Sequence, residues 1–125
     1  MGNGFVVKAK LPSLNEYTAA CRSNKYVGAK FKREVEEVIG LGIKQAISAG
    51  KLRRMEDPVI VHFAWHEKTK RRDADNIASA KKYILDAMQT FKVIPNDNRK
   101  YVKGFTDLII DDTEDFVEVV LEAVK

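Results

Sequence analysis

One cysteine, three prolines and one tryptophan in 125 residues leave few covalent or aromatic landmarks. The lone Cys21 cannot close an internal disulfide, so a disulfide-built secreted scaffold is excluded. Nothing has the spacing of a P-loop, a nucleophile elbow or a zinc site. No apolar run nears the ~20 residues of a membrane-spanning helix. The start, Met1-Gly2-Asn3-Gly4-Phe5-Val6, has neither the layout of a secretory signal nor the Ser or Thr of a myristoylation pattern. The expectation is a cytoplasmic protein with no membrane partner.

What the chain does have is charge, 32% of its residues, beside a hydrophobic share of 45%. That balance suits a soluble folded domain, and the length suits one domain over 1–125. The net charge of +4 hides a split. Residues 1–104 hold 21 basic and 11 acidic residues, whereas 105–125 hold 1 and 7. A basic body invites an anionic partner such as nucleic acid, although an ordinary solvated surface accounts for the same charge.

Phe5, Val7, Ala9 and Leu11 alternate with Val6, Lys8 and Lys10, the period of a strand with one wetter face. Pro12 and Ser13 end it, and 13–24 reads as irregular. Val27, Phe31, Val35, Val38, Ile39, Gly42 and Ala46 share one face of a helix over 25–49, with Asn24 as N-cap and Gly50 as C′ residue. Residues 59–66 alternate between two largely apolar sets, as a central strand covered on both faces does. After the polar run 68–75 a second helix is expected over 76–91. A turn-rich loop fills 92–99, and strands at 100–110 and 115–124 form a hairpin across 111–114. The expected fold is α+β: a single domain of order β-α-β-α-β-β, with a mixed sheet packed by two helices.

The chemistry concentrates in Lys68-Thr69-Lys70-Arg71-Arg72-Asp73-Ala74-Asp75-Asn76. Asp73 and Asp75, two apart, point to the same side of an extended segment and can approach one ion. Hard cations such as Mg²⁺ take oxygen ligands of this kind and keep several waters. Helix capping accounts for one of the two aspartates, and surface pairing with the four cations accounts for either.

With Asp75 at zero and 100° per residue, Ser79, Lys82 and Asp86 fall at about 40°, −20° and 20°. Ile77, Ala80, Ile84, Met88 and Phe91 lie opposite, at about 140–220°, while Lys81 is off the Asp75 stripe. A lysine there can offset charge developing on a phosphate, and a Lys82–Asp86 surface pair fits the same spacing. Asp97, in Pro95-Asn96-Asp97-Asn98, reads from spacing alone as a turn former. A continuous helix carries its end about 20 Å from the aspartates, so a partner subunit or a returning strand has to supply Asp97. His62 and His66 share a strand face without a local third ligand, and packing is the favoured role for His62. The aromatics fall mostly on core stripes, Tyr26, Tyr83 and Tyr101 being candidates to stack on bases.

Arg71-Arg72-Asp73-Ala74-Asp75-Asn76, the helix after it and Ile94-Pro95-Asn96-Asp97 together resemble the RusA family of Holliday junction resolvases, its phage and prophage branch above all. Leu11-Pro12-Ser13-Leu14-Asn15-Glu16-Tyr17 is similar to that branch too. The likeness implies a homodimeric endonuclease that cuts four-way DNA junctions in recombination and repair, using Mg²⁺ or Mn²⁺. It matches Asp73, Asp75 and Asp97 to the family's catalytic, metal-holding aspartates. Its catalytic lysine stands nearer the second Asp in some members. Ser79 occupies that position here, and Lys82 keeps the same stripe one turn on. Lys70, Arg71 and Arg72 would hold the phosphate backbone, with the acidic C-terminal hairpin facing away from DNA or lining a protein contact. The competing readings are a basic nucleic-acid-binding module without catalysis, and a Mg²⁺-dependent enzyme on small phosphorylated substrates.

Overall fold

A computed structural model describes residues 3–124 as a four-stranded sheet with helices. The strands are β1 (Asn3–Val7), β2 (Val59–Glu67), β3 (Val102–Asp111) and β4 (Phe116–Ala123). The helices are α1 (Leu14–Ser23), α2 (Lys25–Ser48), α3 (Ala74–Ala78) and α4 (Lys81–Thr90). The α+β class and the mixed sheet are as expected.

Two helical segments go beyond the expectation. Residues 13–24 are not irregular. Ser13 caps α1 by accepting from the Glu16 N–H at 3.2 Å. Asn24 closes α1 and then caps α2 through the Tyr26 N–H. The second helix is not continuous over 76–91 either. The N–H groups of Ala80 and Tyr83 bond three residues back, to Ile77 and Ala80, and this tightening separates α3 from α4. Gly50 follows the end of α2 with φ +74°, as a C′ residue should.

The sheet order is β1-β4-β2-β3. β2 pairs parallel to β3 and antiparallel to β4. The expected β3–β4 hairpin is therefore not formed: the strands are consecutive in sequence, but β2 lies between them. Residues 112–115 cross the end of β2, where the Asp112 N–H donates to the Glu67 carbonyl and the Lys68 N–H to the Asp115 carboxylate. Burial decides this pairing. β2 is the most buried strand and takes an interior position beside β4, which leaves β3 at an edge. The parallel β2–β3 pair needs a crossover, and α3 and α4 supply it.

Val59, Val61, Phe63 and Trp65 point into the core with Phe5, Val7, Val117, Val119 and Leu121. Ile39, Ile43, Tyr83, Ile84 and Met88 meet them from α2 and α4. α2 comes so close to β1 that a Cβ on Gly42 would collide with the Val6 carbonyl. Coverage of β2 on both faces is not what the structure has. Ile60, His62 and Ala64 are only half-buried, on a face shared with the exposed Val6, Leu108 and Val120. Polar pairing replaces packing on that side. The His62 ring bridges Thr106 at 2.6 Å and Glu122 at 2.9 Å, so its role is not apolar packing. The His66 ring bridges Asp112 and Glu118 and stacks on Phe116 with centroids 3.8 Å apart.

Candidate functional site

The site begins where β2 ends. Lys68–Arg72 leave the strand, and Asp73 then takes the N-cap position of α3 in extended backbone, φ −73° and ψ 155°. Its side chain makes no capping hydrogen bond. Asp75 sits one residue inside the helix. Both carboxylates are exposed, and among the described residues neither takes a hydrogen bond or an ion pair through its side chain. Capping and ion pairing, the two structural roles open to this pair, are thus both unused. Two uncommitted carboxylates at a helix mouth suit a hard cation that keeps most of its waters.

Asp97 is carried back to the start of α4 by the returning chain itself, one of the two routes expected for it. After α4, Lys92 adopts φ 61°, and the reversed chain buries Val93 and Ile94 against the core. Two Asx turns follow, the Asn98 N–H donating to Asn96 Oδ1 and the Lys100 N–H to Asn98 Oδ1. Asp97 Oδ2 comes to 3.5 Å from Lys82 Nζ, at the start of α4 rather than its end. Lys82 also bonds Asp86 at 2.9 Å, and Asp86 lies 3.5 Å from Lys32 on α2. The Asp86 hydrogen bond, with Asp97 nearby, raises the Lys82 pKa above its ordinary value against a smaller opposing effect of burial. Lys82 is therefore a firmly protonated cation and not a proton acceptor at neutral pH.

The aspartates do not all converge. Among the described residues no three His, Cys, Asp or Glu side chains are grouped to hold one metal ion. Asp97 belongs to the Lys82–Asp86 cluster, and Asp73 with Asp75 form a separate free pair.

The three cations chosen to hold DNA meet different fates. Arg72 is committed: its Nε and one terminal nitrogen clasp both oxygens of Glu67 at 3.1 and 2.9 Å, and its other nitrogen donates to the Leu11 carbonyl at 2.9 Å. The side chains of Arg72 and Glu67 are 15% and 6% exposed, so Arg72 does not project as a phosphate contact. Lys70 and Asp111 lie 3.7 Å apart in an exposed pair worth little. Arg71 is exposed and has no anionic partner among the described residues. The acidic C-terminal segment does not face away from this loop. Asp111 and Asp115 lie against it, because the 112–115 crossing wraps the end of β2.

Sequence reasoning missed the bracing around the pair. Leu14 N–H donates to Ser79 Oγ, Tyr83 OH donates to the Ser13 carbonyl, and Asn15 donates to Asn76. Together with the Leu11–Arg72 bond they staple residues 11–15 to the loop, α3 and α4. Ser79 is thus a structural tie. Tyr83 is buried, which pushes its pKa up to about 12 and removes it as a base-stacking group. Tyr26 is 73% exposed and remains free to stack. The signal for α1 was present in Ser13-Leu14-Asn15-Glu16, a capping-box spacing. Nothing local announced Glu67 as a partner for Arg72.

No protein-family model and no curated protein matches this chain. No helix among the described residues is long and apolar enough to cross a membrane.

Proposed function

We propose that the protein is a divalent-metal-dependent DNA endonuclease that resolves four-way junctions by paired nicks, working as a homodimer. The observation that carries this reading is the pair Asp73 and Asp75: two residues apart, exposed, their side chains unused by the fold and preceded by Lys70 and Arg71. Mg²⁺ or Mn²⁺ held by Asp73 and Asp75 would supply an activated water and offset charge on the scissile phosphate. Lys70 and Arg71 draw the phosphate backbone toward carboxylates that would otherwise repel it. Lys82 contributes fixed positive charge, held in place by Asp86 and Asp97. Asp97 acts in this account through Lys82. The resemblance around Arg71–Asp75 and Ile94–Asp97 supports branched DNA as the substrate and a homodimer as the working unit.

One observation favours a second reading, a nucleic-acid-binding module without catalysis: Asp97 is engaged by Lys82, and no three-ligand group forms among the described residues. Cleavage of a labelled four-way junction beside a linear duplex separates the two, with Mg²⁺ and with chelator, for wild type and Asp75→Asn. The nuclease reading predicts symmetric nicks in the junction only, abolished by chelator and by the substitution. A junction bound but left intact under Mg²⁺ and Mn²⁺ makes the binding module correct.

A further inference from the structure

The Glu67–Arg72 pair is the one nearly buried ion pair among the described residues, and the chemistry proposed above does not use it. Its construction is specific. Both carboxylate oxygens are taken, three of the five guanidinium donors are spent, and the third bond reaches a backbone carbonyl on another segment. Glu67 is the last residue of β2, and Arg72 directly precedes Asp73. The pair therefore closes residues 68–71 into a loop and fixes where the chain enters α3.

Stability alone does not account for such a pair. Removing two charges from water costs about as much as their attraction returns, and well-packed apolar residues of the same size often do as well. What a bidentate fork adds is geometry. The neighbouring bonds act on the same point. The Lys68 N–H is held by Asp115, Leu14 is tied to Ser79, and Asn15 to Asn76. They surround Asp73 and Asp75 without touching either carboxylate. The two free side chains thus stand on a backbone clamped on both sides, as an ion site needs if it is to be preformed.

We infer that Glu67 and Arg72 are positioning residues: a buried strut that sets the direction of Asp73 and Asp75, with Arg72 withheld from the phosphate backbone. This rests on the reading of the aspartates as a metal and phosphate site, and it reverses the role expected of Arg72.

The test uses the full-length chain and Glu67→Gln, which keeps shape and the Arg72 cation while removing the ionic clasp. Three readouts are taken: Mn²⁺ affinity, four-way-junction binding in Ca²⁺ with its salt dependence, and single-turnover cleavage in Mg²⁺. Far-UV circular dichroism checks the fold, and the rate of trypsin cutting after Lys68, Lys70 and Arg71 checks the loop. The strut predicts Mn²⁺ affinity down about tenfold and cleavage down ten- to a hundredfold. It predicts junction affinity unchanged, with faster trypsin cutting of the loop. Tighter junction binding with a salt slope steeper by about one would show that the freed Arg72 is a phosphate contact, and would overturn the proposal. Unchanged Mn²⁺ affinity and trypsin rate would overturn it as well. If wild type binds Mn²⁺ but cuts no DNA, the nuclease reading fails by itself, and the Mn²⁺ and trypsin readouts still decide the strut. Should Glu67→Gln not fold, Arg72→Lys is measured the same way; it keeps a cation and gives up the fork, and the strut predicts the same directions.

Discussion

Arg72 and Asp73 are neighbours in the chain and opposites in the structure. Arg72 is nearly buried, with its charge matched by Glu67 and a third donor on Leu11. Asp73, one residue on, is exposed, caps nothing and pairs with nothing among the described residues. A run of charges that looks uniform in sequence is thus divided between bracing and chemistry. The fold spends Arg72 on holding the loop and leaves Asp73 and Asp75 unspent. A charged group the fold does not use for its own stability is the better candidate for function, and a buried satisfied one is the better candidate for support.

That contrast gives the ordering of mutational effects. The largest loss of cleavage is expected from Asp73→Asn or Asp75→Asn, on the order of a hundred- to a thousandfold, with thermal stability changed by less than about 1 kcal/mol because neither side chain holds the fold. Single-turnover cleavage and calorimetry measure the two quantities. The reverse pattern is expected at the strut. Arg72→Ala strands the Glu67 carboxylate in a nearly dry site and costs about 3–5 kcal/mol, read as a shift in urea midpoint. A small effect there, beside a large stability loss at Asp73, would break the comparison.

Lys82→Ala comes next. Cleavage should fall by about ten- to a hundredfold as fixed positive charge is lost. Lys82 also carries a pH signature. Its folded pKa is raised above the ordinary lysine value of 10.5, chiefly by the Asp86 hydrogen bond. The stability it contributes is therefore fully present below its unfolded pKa and is lost as pH rises through the folded one. Thermal melts of wild type and Lys82→Met should differ through the neutral range and converge only above pH 10.5. The smallest effects belong to Lys70 and Arg71. Alanine at either should weaken junction binding evenly across sequences and lower the salt slope by about one, in titrations at several salt concentrations.

Much of the fold was legible because it is written locally. The alternation from Val59 to Trp65 identified β2, and the apolar stripe with its Asn24 and Gly50 ends identified α2. α1 was legible too, through Ser13 and Glu16, but it is only ten residues long and none of its residues is fully buried. The sheet order was not legible. The 111–114 connection reads as a hairpin in every local respect, and only the competition for the buried position places β2 between β3 and β4. The site divides the same way. The Lys82–Asp86 pair follows from spacing within α4, whereas the break between α3 and α4 ends the stripe that a continuous helix runs on from Asp75. The return of Asp97 depends on the burial of Val93 and Ile94 and on the left-handed Lys92, neither of which spacing encodes. The capture of Arg72 by Glu67 depends on a carboxylate buried at a strand end, and a basic run gives no sign of which cation will be taken.

The most direct measurement is a Mn²⁺ titration of wild type, Asp73→Asn/Asp75→Asn and Asp86→Asn, followed by calorimetry or by the loss of the free-ion resonance signal. Asp86 is the control, since it is a carboxylate of the following helix already held by Lys82 and Lys32. The account predicts a saturable site in wild type that Asp86→Asn retains and the Asp73/Asp75 double variant loses. Equal Mn²⁺ binding by wild type and the double variant would contradict it, because the free carboxylates would then not be where the ion goes.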